Sequence, residues 1–484
     1  MHRNTLAPGM ELHNHGSRRS IRSMETDRRR LRLPRVRVPF NRTEGAEASQ
    51  LATPQAGGTG AATPPLEAGR FSTSLRAFQH RNYRLFYTGQ SISLIGTWMQ
   101  TVAQAWLVLQ ITDSKAALGV VTMLQFLPIM LLVLFAGVIA DRVPKRDFLL
   151  LTQSLAMVQA LVLATLVLTD AIQLWHVYVL ALMLGLSNAF DMPTRQAFAI
   201  EMVGRDDLMN AVALNSGMFN GARLLGPAVG GFIISAFGVE GVFLLNGLSF
   251  VPVLASLILI RKGDLYTVQR PRGEQRVFRD LREGIAYAWR TPAIRLVIIL
   301  VAMIGTFGYN FTVMLPLLAK YVLGEGSVAL GFLTAAVGFG ALISALALAG
   351  RKAATRYSLF AGATAFTAFL GGVAVSSNLY LTLVLLIGVG ASSTLFATTA
   401  NTSIQLAAPD HLRARVVSLY MLLFAGSTPI GGLLMGLLAS NLSTQWAIGI
   451  FASLCAVGTA AGALYYVTHK SAVARTTDIA AAPA

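Results

Sequence analysis

From Leu85 onward the chain alternates apolar runs with short polar or Gly/Pro-containing links. Each run approaches the roughly 20 residues a helix needs to cross the hydrocarbon core of a bilayer. Twelve runs are predicted as helices, near 86–111, 116–140, 148–168, 172–190, 209–236, 241–260, 296–319, 329–349, 357–375, 379–400, 416–438 and 446–467. The fifth is the least sharp, because Asn210, Asn215, Asn220 and Arg223 interrupt it.

The pattern also repeats. Arg84-Leu85 opens the first run and Arg295-Leu296 the seventh; Ala117-Leu118-Gly119 begins the second and Ala329-Leu330-Gly331 the eighth; Arg142 follows the second and Arg351 the eighth, at offsets of 211, 212 and 209. Pro227-x-x-Gly230-Gly231 is echoed by Pro429-x-Gly431-Gly432. The expected architecture is therefore an all-α membrane protein of twelve transmembrane helices in two pseudo-symmetric six-helix bundles, residues 78–260 and 296–468, joined by a charged linker, 261–295. Repeated halves are common in secondary transporters, whose substrate site lies between the repeats and opens alternately to either side.

Composition agrees with this pattern: 54% of the 484 residues are hydrophobic and 13% charged, against roughly 25% charged in soluble domains. The net charge of +17 would suit a nucleic-acid binder, but its distribution decides otherwise. With the N-terminus placed inside, 36 of the 39 Lys and Arg residues fall in inner segments, leaving Lys115 and Lys320 in outer links and Arg223 within a run. That is the positive-inside asymmetry of a multi-pass protein of the inner or plasma membrane with both termini cytoplasmic, and nucleic acid is not an expected partner. Residues 1–77, Arg-rich to Arg42 and then Gly, Ala, Thr and Pro through Pro65, read as a disordered basic cytoplasmic tail, and 469–484 as a second cytoplasmic tail. A transit peptide, or a true start at Met10 or Met24, are the other readings of the first segment. The single Cys455 allows no disulfide within the chain and no cysteine-based metal site. No Walker A sequence, metal-ligand cluster or nucleophile constellation is present, so transport is expected to be secondary, with no enzyme activity and no cofactor.

Gly137-Val-Ile-Ala-Asp141-Arg142-Val-Pro-Lys145-Arg146 follows the second run. A basic loop obeying the positive-inside rule explains its arginines but not Asp141 among them; an acid facing a helix N-terminus and arginines facing carboxylates or helix C-terminal carbonyls would make a latch. The segment resembles the signature between helices two and three of the major facilitator superfamily, with Pro144 where glycine is usual. The resemblance implies a gating role for Gly137, Asp141, Arg142 and Arg146. Asp191-Met-Pro193-Thr-Arg195-Gln196-Ala-Phe198 and Asn82-Tyr-Arg84-Leu-Phe86 are similar to segments of the branch holding enterobactin exporters and macrolide-efflux pumps. Asp191 and Arg195 are thereby assigned to the gate, a structural ion pair being the alternative. Ala222-Arg223-Leu-Leu-Gly226-Pro227-Ala-Val-Gly230-Gly231 resembles the superfamily's antiporter motif and implies export, alongside ordinary small-residue helix packing.

Arg223 lies about 21 Å beyond Met209 along the helix, past the midplane, and is the one Lys, Arg, Asp or Glu well inside a run. A charge so placed is costly and usually functional, either anchoring an anionic substrate group or held in a structural network with carbonyls and Asn215. Gln90, Trp98, Gln104, Asn215, Asn246, Tyr309 and Asn310 complete the candidate substrate cavity, each with helix packing as its plainer role. No carboxylate sits mid-run, so the proton carrier is unassigned, with Asp191 the candidate. The whole implies a monomeric, proton-coupled exporter of amphipathic small molecules such as drugs, siderophores or lipophilic metabolites. A small-solute importer and a non-transporting sensor or scaffold are the alternatives.

Overall fold

The computed structural model describes residues 73–266, 277–349 and 356–470. Most of the expected N-terminal tail, 471–484 and the side chain of Asp141 lie outside the described residues. Within them all regular structure is helical. A 3-10 turn, Thr73–Gln79, leads into α1 (Arg81–Thr112), α2 (Lys115–Arg142), α3 (Lys145–Leu168), α4 (Leu174–Val203) and α5 (Leu208–Leu259). After α6 (Val277–Arg290) come α7 (Pro292–Gly308), α8 (Phe311–Tyr321), α9 (Ser327–Ala349), α10 (Arg356–Val375), α11 (Leu379–Ala407), α12 (Asp410–Gly426), α13 (Thr428–Asn441) and α14 (Thr444–Thr468). Eleven helical segments among the described residues are long and apolar enough to cross a membrane, with α7–α8 taken as one, most of α12–α13 as one, and all of α5 as one.

Short polar residues start several of these helices. The side chains of Ser114, Asn378 and Ser443 accept from the backbone N–H of Ala117, Leu381 and Trp446, each three residues on. Those bonds satisfy amides that a helix start leaves free. Three helices depart from the expected boundaries. α4 runs on to Val203 through the Asp191–Phe198 stretch that the pattern assigns to a link, because Phe198, Met202 and Val203 are buried on one face and keep the helix packed. α5 joins the fifth and sixth runs, but Gly238, at φ +75°, breaks the helix between them. The seventh run is split at Tyr309 and Asn310, where the Asn310 side chain donates to the freed carbonyl of Thr306 at 2.7 Å.

The helices of the first half of the chain pack chiefly on one another, α5 against α1 and α3, and α4 against α2 and α3. In the second half α10 packs on α11 and α14, and α14 on α7. The halves meet chiefly along two helix pairs, α5 with α9 and α2 with α13, with lesser contacts of α12 with α2 and α8 with α1. Both main pairs approach through glycine. A Cβ on Gly331 would stand 2.6 Å from the Pro227 carbonyl oxygen and 3.2 Å from the Gly231 Cα, and one on Gly119 would stand 2.9 Å from the Gly432 oxygen and 3.1 Å from the Gly436 Cα. Only hydrogen at these positions lets the backbones come so near. The motifs that repeat along the sequence are thus the ones that touch: the start of the second run of one half meets the Pro-Gly-Gly segment of the other, twice over.

These approaches occupy the end of the molecule that carries the α1–α2 and α8–α9 links, here the far end. There Asp113 also accepts from Lys320 Nζ and from Tyr321 Oη, each at 2.7 Å, while Lys320 donates to the Leu109 carbonyl at 2.7 Å. Toward the near end, where residues 73–80 lie, α5 is held by α1 and the 3-10 turn: Tyr83 and Tyr87 donate to the carbonyls of Ala211 and Leu214, and the Ala77 N–H donates to the Asn210 side chain. The rest of its circumference there, including Val212, Asn215, Ser216 and Phe219, is exposed, and nothing stands where a Cβ on Gly217 or Gly221 would be. The halves are closed together at the far end and parted at the near end.

Candidate functional site

Where the closed and parted regions meet, α5 carries Arg223. Its backbone oxygen lies 3.1 Å from where a Cβ on Gly338 of α9 would be, which puts it beside the second half of the chain. The side chain is surrounded by protein yet partly open to solvent. Its guanidinium lies 5.9 Å from the Trp98 ring of α1, which in turn meets Phe219 edge-on at 5.7 Å. Trp98 can sit there because Gly226 gives way: a Cβ on Gly226 would be 2.5 Å from the Trp98 Cβ. Gly230 likewise admits Met99, and Gly231 admits α9. The Gly-Pro-x-x-Gly-Gly segment therefore seats α1 with two glycines and the opposite half with the third.

From the second half, Tyr309 lies within electrostatic reach of Arg223. The break after Gly308 turns its ring out of the helix line to stack on Phe366 at 5.6 Å and meet Phe424 at 4.7 Å, and its hydroxyl donates to the Ser393 carbonyl at 2.6 Å. Arg223 makes no hydrogen bond or ion pair among the described residues. The structure thus brings Trp98, Arg223 and Tyr309 together as one cationic spot in an aromatic setting between the halves.

The other candidates are placed elsewhere. Asn246 is buried inside the first half and donates to Gln100, which donates to Gln159, a polar chain linking α5, α1 and α3. Gln104 reaches Gln125 of α2 at 3.4 Å. Asn310 packs under Gly431 of α13, its Oδ1 buried without a partner. Asn215 is exposed on the near part of α5 and has no bond to Arg223. Gln90 lies in a separate pocket with Asp191.

At the start of α3, Arg146 donates from Nε to the Leu257 carbonyl at 2.6 Å and from Nη2 to that of Ile258 at 3.0 Å, neutralising carbonyls at the end of α5. Lys145 pairs with Glu201 at 2.8 Å. Both bonds fasten this segment to its own half. Arg142 is exposed, and a Cβ on Gly137 would meet open space. Asp191 pairs with Arg195 one turn on, at 3.4 Å, and accepts from Thr152 and Gln153 of α3. The fastening of Asp113 by Lys320 and Tyr321 was not anticipated. Its trace in the sequence is that the two lysines outside the inner segments sit in corresponding links of the two halves.

The sequence profile of the transmembrane secretion effector family matches residues 72–481. The chain belongs to that family, a branch of the major facilitator superfamily. It is similar to the staphyloferrin A transporter of Staphylococcus aureus, 26% identical over 362 residues that cover 74% of this chain and 89% of the relative. The multidrug efflux pump Tap of Mycolicibacterium fortuitum is 28% identical over 353 residues, 71% of this chain and 86% of the pump. The crystal structure of the nucleoside transporter NupG shares the fold, with a TM-score of 0.63 at 10% identity over 80% of this chain and 99% of that one. The family member described here is accordingly a multi-pass membrane transporter of small molecules and not an enzyme.

Proposed function

We propose that this transporter is a proton-coupled exporter of amphipathic small molecules that works by alternating access, as a monomer, in the inner or plasma membrane. The observation that carries the reading is Arg223, a cation without a protein partner among the described residues, set between the halves against Trp98 and Tyr309. A structural arginine in a membrane interior would be held by carbonyls or a carboxylate. One left open to the cavity is suited to an anionic or strongly hydrogen-bond-accepting group of a substrate, with the aromatic rings taking its apolar body.

The architecture under this reading is twelve transmembrane helices in two six-helix bundles. α5, 52 residues long, would measure about 78 Å if straight, more than twice the ~30 Å hydrocarbon core. The break at Gly238 supports two antiparallel passes, its second part returning along α1 and α3. The excess of Lys and Arg at the near end supports placing that end, and both tails, in the cytoplasm. The molecule would then be open inward, with Gly137, Asp141, Arg142, Arg146, Asp191 and Arg195 at the cytoplasmic gate. Direction and substrate class are supported by the antiporter-like segment on α5 and by relatives named for a siderophore and for drug efflux.

Proteoliposomes loaded with a panel of siderophores and drugs, some bearing carboxylates and some lipophilic cations, test the reading. Carboxylate-bearing compounds are expected to move against their gradient when a proton gradient is imposed, and Arg223→Ala to stop that movement while leaving the protein folded. Unchanged transport by Arg223→Ala would remove the cavity from the mechanism.

A further inference from the structure

Inside the first half, apart from Arg223, lies a cavity of about 40 Å³ among α1, α3, α4 and the returning part of α5. Its wall is mixed, with Leu94, Leu184 and Phe250 beside Gln90, Gln153 and Asp191. Asp191 is 5% exposed, Gln153 6% and Gln90 3%. The Oε1 atoms of Gln90 and Gln153 are buried and have no hydrogen-bond partner. Gln153 cannot turn its oxygen elsewhere without losing the 2.7 Å bond its Nε2 donates to Asp191. An unpartnered buried acceptor is costly, so two of them beside a buried carboxylate call for something that offers only positive charge or donors. The hydroxyls of Ser93 and Ser187 add further oxygens to the same wall.

We propose that this cavity binds a small monovalent cation, sodium or hydronium, through Asp191, Gln90 and Gln153, and that it is the coupling site of the transport cycle. Hard cations take oxygen ligands, and transporters of this kind hold their coupling ions on carboxylates and carbonyl oxygens. The volume suffices for one ion or water. Charge limits the ion to a monovalent one: Asp191 supplies a single negative charge, and no group of three or more His, Cys, Asp or Glu that could hold a metal occurs among the described residues. Arg195 is the one charged neighbour among the described residues lining the cavity, in a single contact of 3.4 Å to Asp191 Oδ2. Its side chain is partly exposed, so an arriving cation takes over the carboxylate and releases Arg195 toward the near end. Occupancy of the cavity thereby changes the charge presented at the proposed gate.

The inference rests on the transport reading, but its test does not need a known substrate. Binding of radioactive sodium to the purified full chain is measured at alkaline and acidic pH, and proton uptake is followed with an indicator dye in weakly buffered solution. The variants are Asp191→Asn and Gln90→Leu; the second leaves the ion pair and the Thr152 and Gln153 bonds in place. Saturable sodium binding, lost in Asp191→Asn and weakened about tenfold or more in Gln90→Leu, supports a sodium site. No sodium binding, with a proton uptake step absent from Asp191→Asn and shifted by about a pH unit in Gln90→Leu, supports hydronium or a proton. Neither signal, or signals unchanged in both variants, overturns the site. Site-dependent cation binding without transport of any compound would sink the transport reading and leave the site standing.

Discussion

Gly331→Ala adds a single methyl group where α9 meets α5. The new Cβ would lie 2.6 Å from the Pro227 carbonyl oxygen and 3.2 Å from the Gly231 Cα, both backbone atoms that cannot rotate away. Overpacking of this kind costs about 1–3 kcal/mol, and the cost falls only on the arrangement in which the far end is closed. In a two-state equilibrium the same energy moves the ratio of closed to open by about 5- to 150-fold. Gly119→Ala, whose Cβ would meet the Gly432 oxygen at 2.9 Å, repeats the perturbation at the other helix pair and should act in the same direction. Gly217→Ala is the control, since nothing lies within 4 Å of its Cβ. The assay is the distance between spin labels at Ala171 and Tyr380, both exposed at the far end, in a Cys455→Ala background that removes the single native thiol. Both interface variants should lengthen the distance distribution and the control should not. Distances unchanged in both variants, or lengthened equally in Gly217→Ala, would refute the view that the glycine approaches hold the far end shut.

Four further outcomes follow from the same contacts. Asp113→Asn removes the negative charge that pairs with Lys320, so the same label pair should report a partial shift toward the open form, a shift that added salt also produces in the wild type but does not enlarge in the variant. Hydrogen bonds from Lys320 and Tyr321 hold the Asp113 carboxyl below the usual carboxylate range, so this fastening is present above about pH 4 and is lost only as pH falls through the lowered value; a transition in the label distance near neutral pH that disappears in Asp113→Asn would contradict this. Gly226→Val should displace Trp98 and lower transport about as far as Trp98→Ala does, read as initial rates in proteoliposomes, with the second substitution adding little to the first. Asn246→Leu leaves the Gln100 side chain without its donor and should cost about 1–3 kcal/mol of stability, seen as a lower midpoint in thermal unfolding in detergent.

The all-helical, membrane-spanning character of the chain and its repeated motifs were legible because each follows from local pattern: run length from bilayer thickness, and the repeat from motif order. Helix ends were less so. Buried Phe198 and Met202 carry α4 past the point where hydropathy falls, and a packed face of a few residues leaves little trace in a window average. Arg223 stood out as a lone charge, and Trp98 and Tyr309 as polar-tipped aromatics on corresponding helices, so the central group was within reach. Asn246 and Gln90 share that composition but sit inside the first half, and only the rotation of each helix about its axis separates the two cases. The neighbours of Asp191 on α3 were invisible for the same reason: Thr152 and Gln153 lie 39 and 38 residues before it.

The repeat also bears on where function should be sought. Positions that match between halves, Gly119 with Gly331 and Gly436 with Gly231, are the ones that bring the halves together: the glycine-on-glycine contact is made twice, once at each helix pair. A site for an asymmetric small molecule has no such constraint. The contacts that equate Pro227 with Gly432 and Gly231 with Gly436 set Arg223 against Thr428, so the charge belongs to one half alone. A cation needed for packing would be wanted in both halves, because both make the same helix contacts; one present in a single copy at the seam answers to whatever enters the seam. Placing a second arginine by Thr428→Arg should therefore disturb substrate selection before it disturbs folding. If that variant instead fails to reach the membrane while Arg223→Ala transports normally, the asymmetry is incidental and the substrate is held elsewhere.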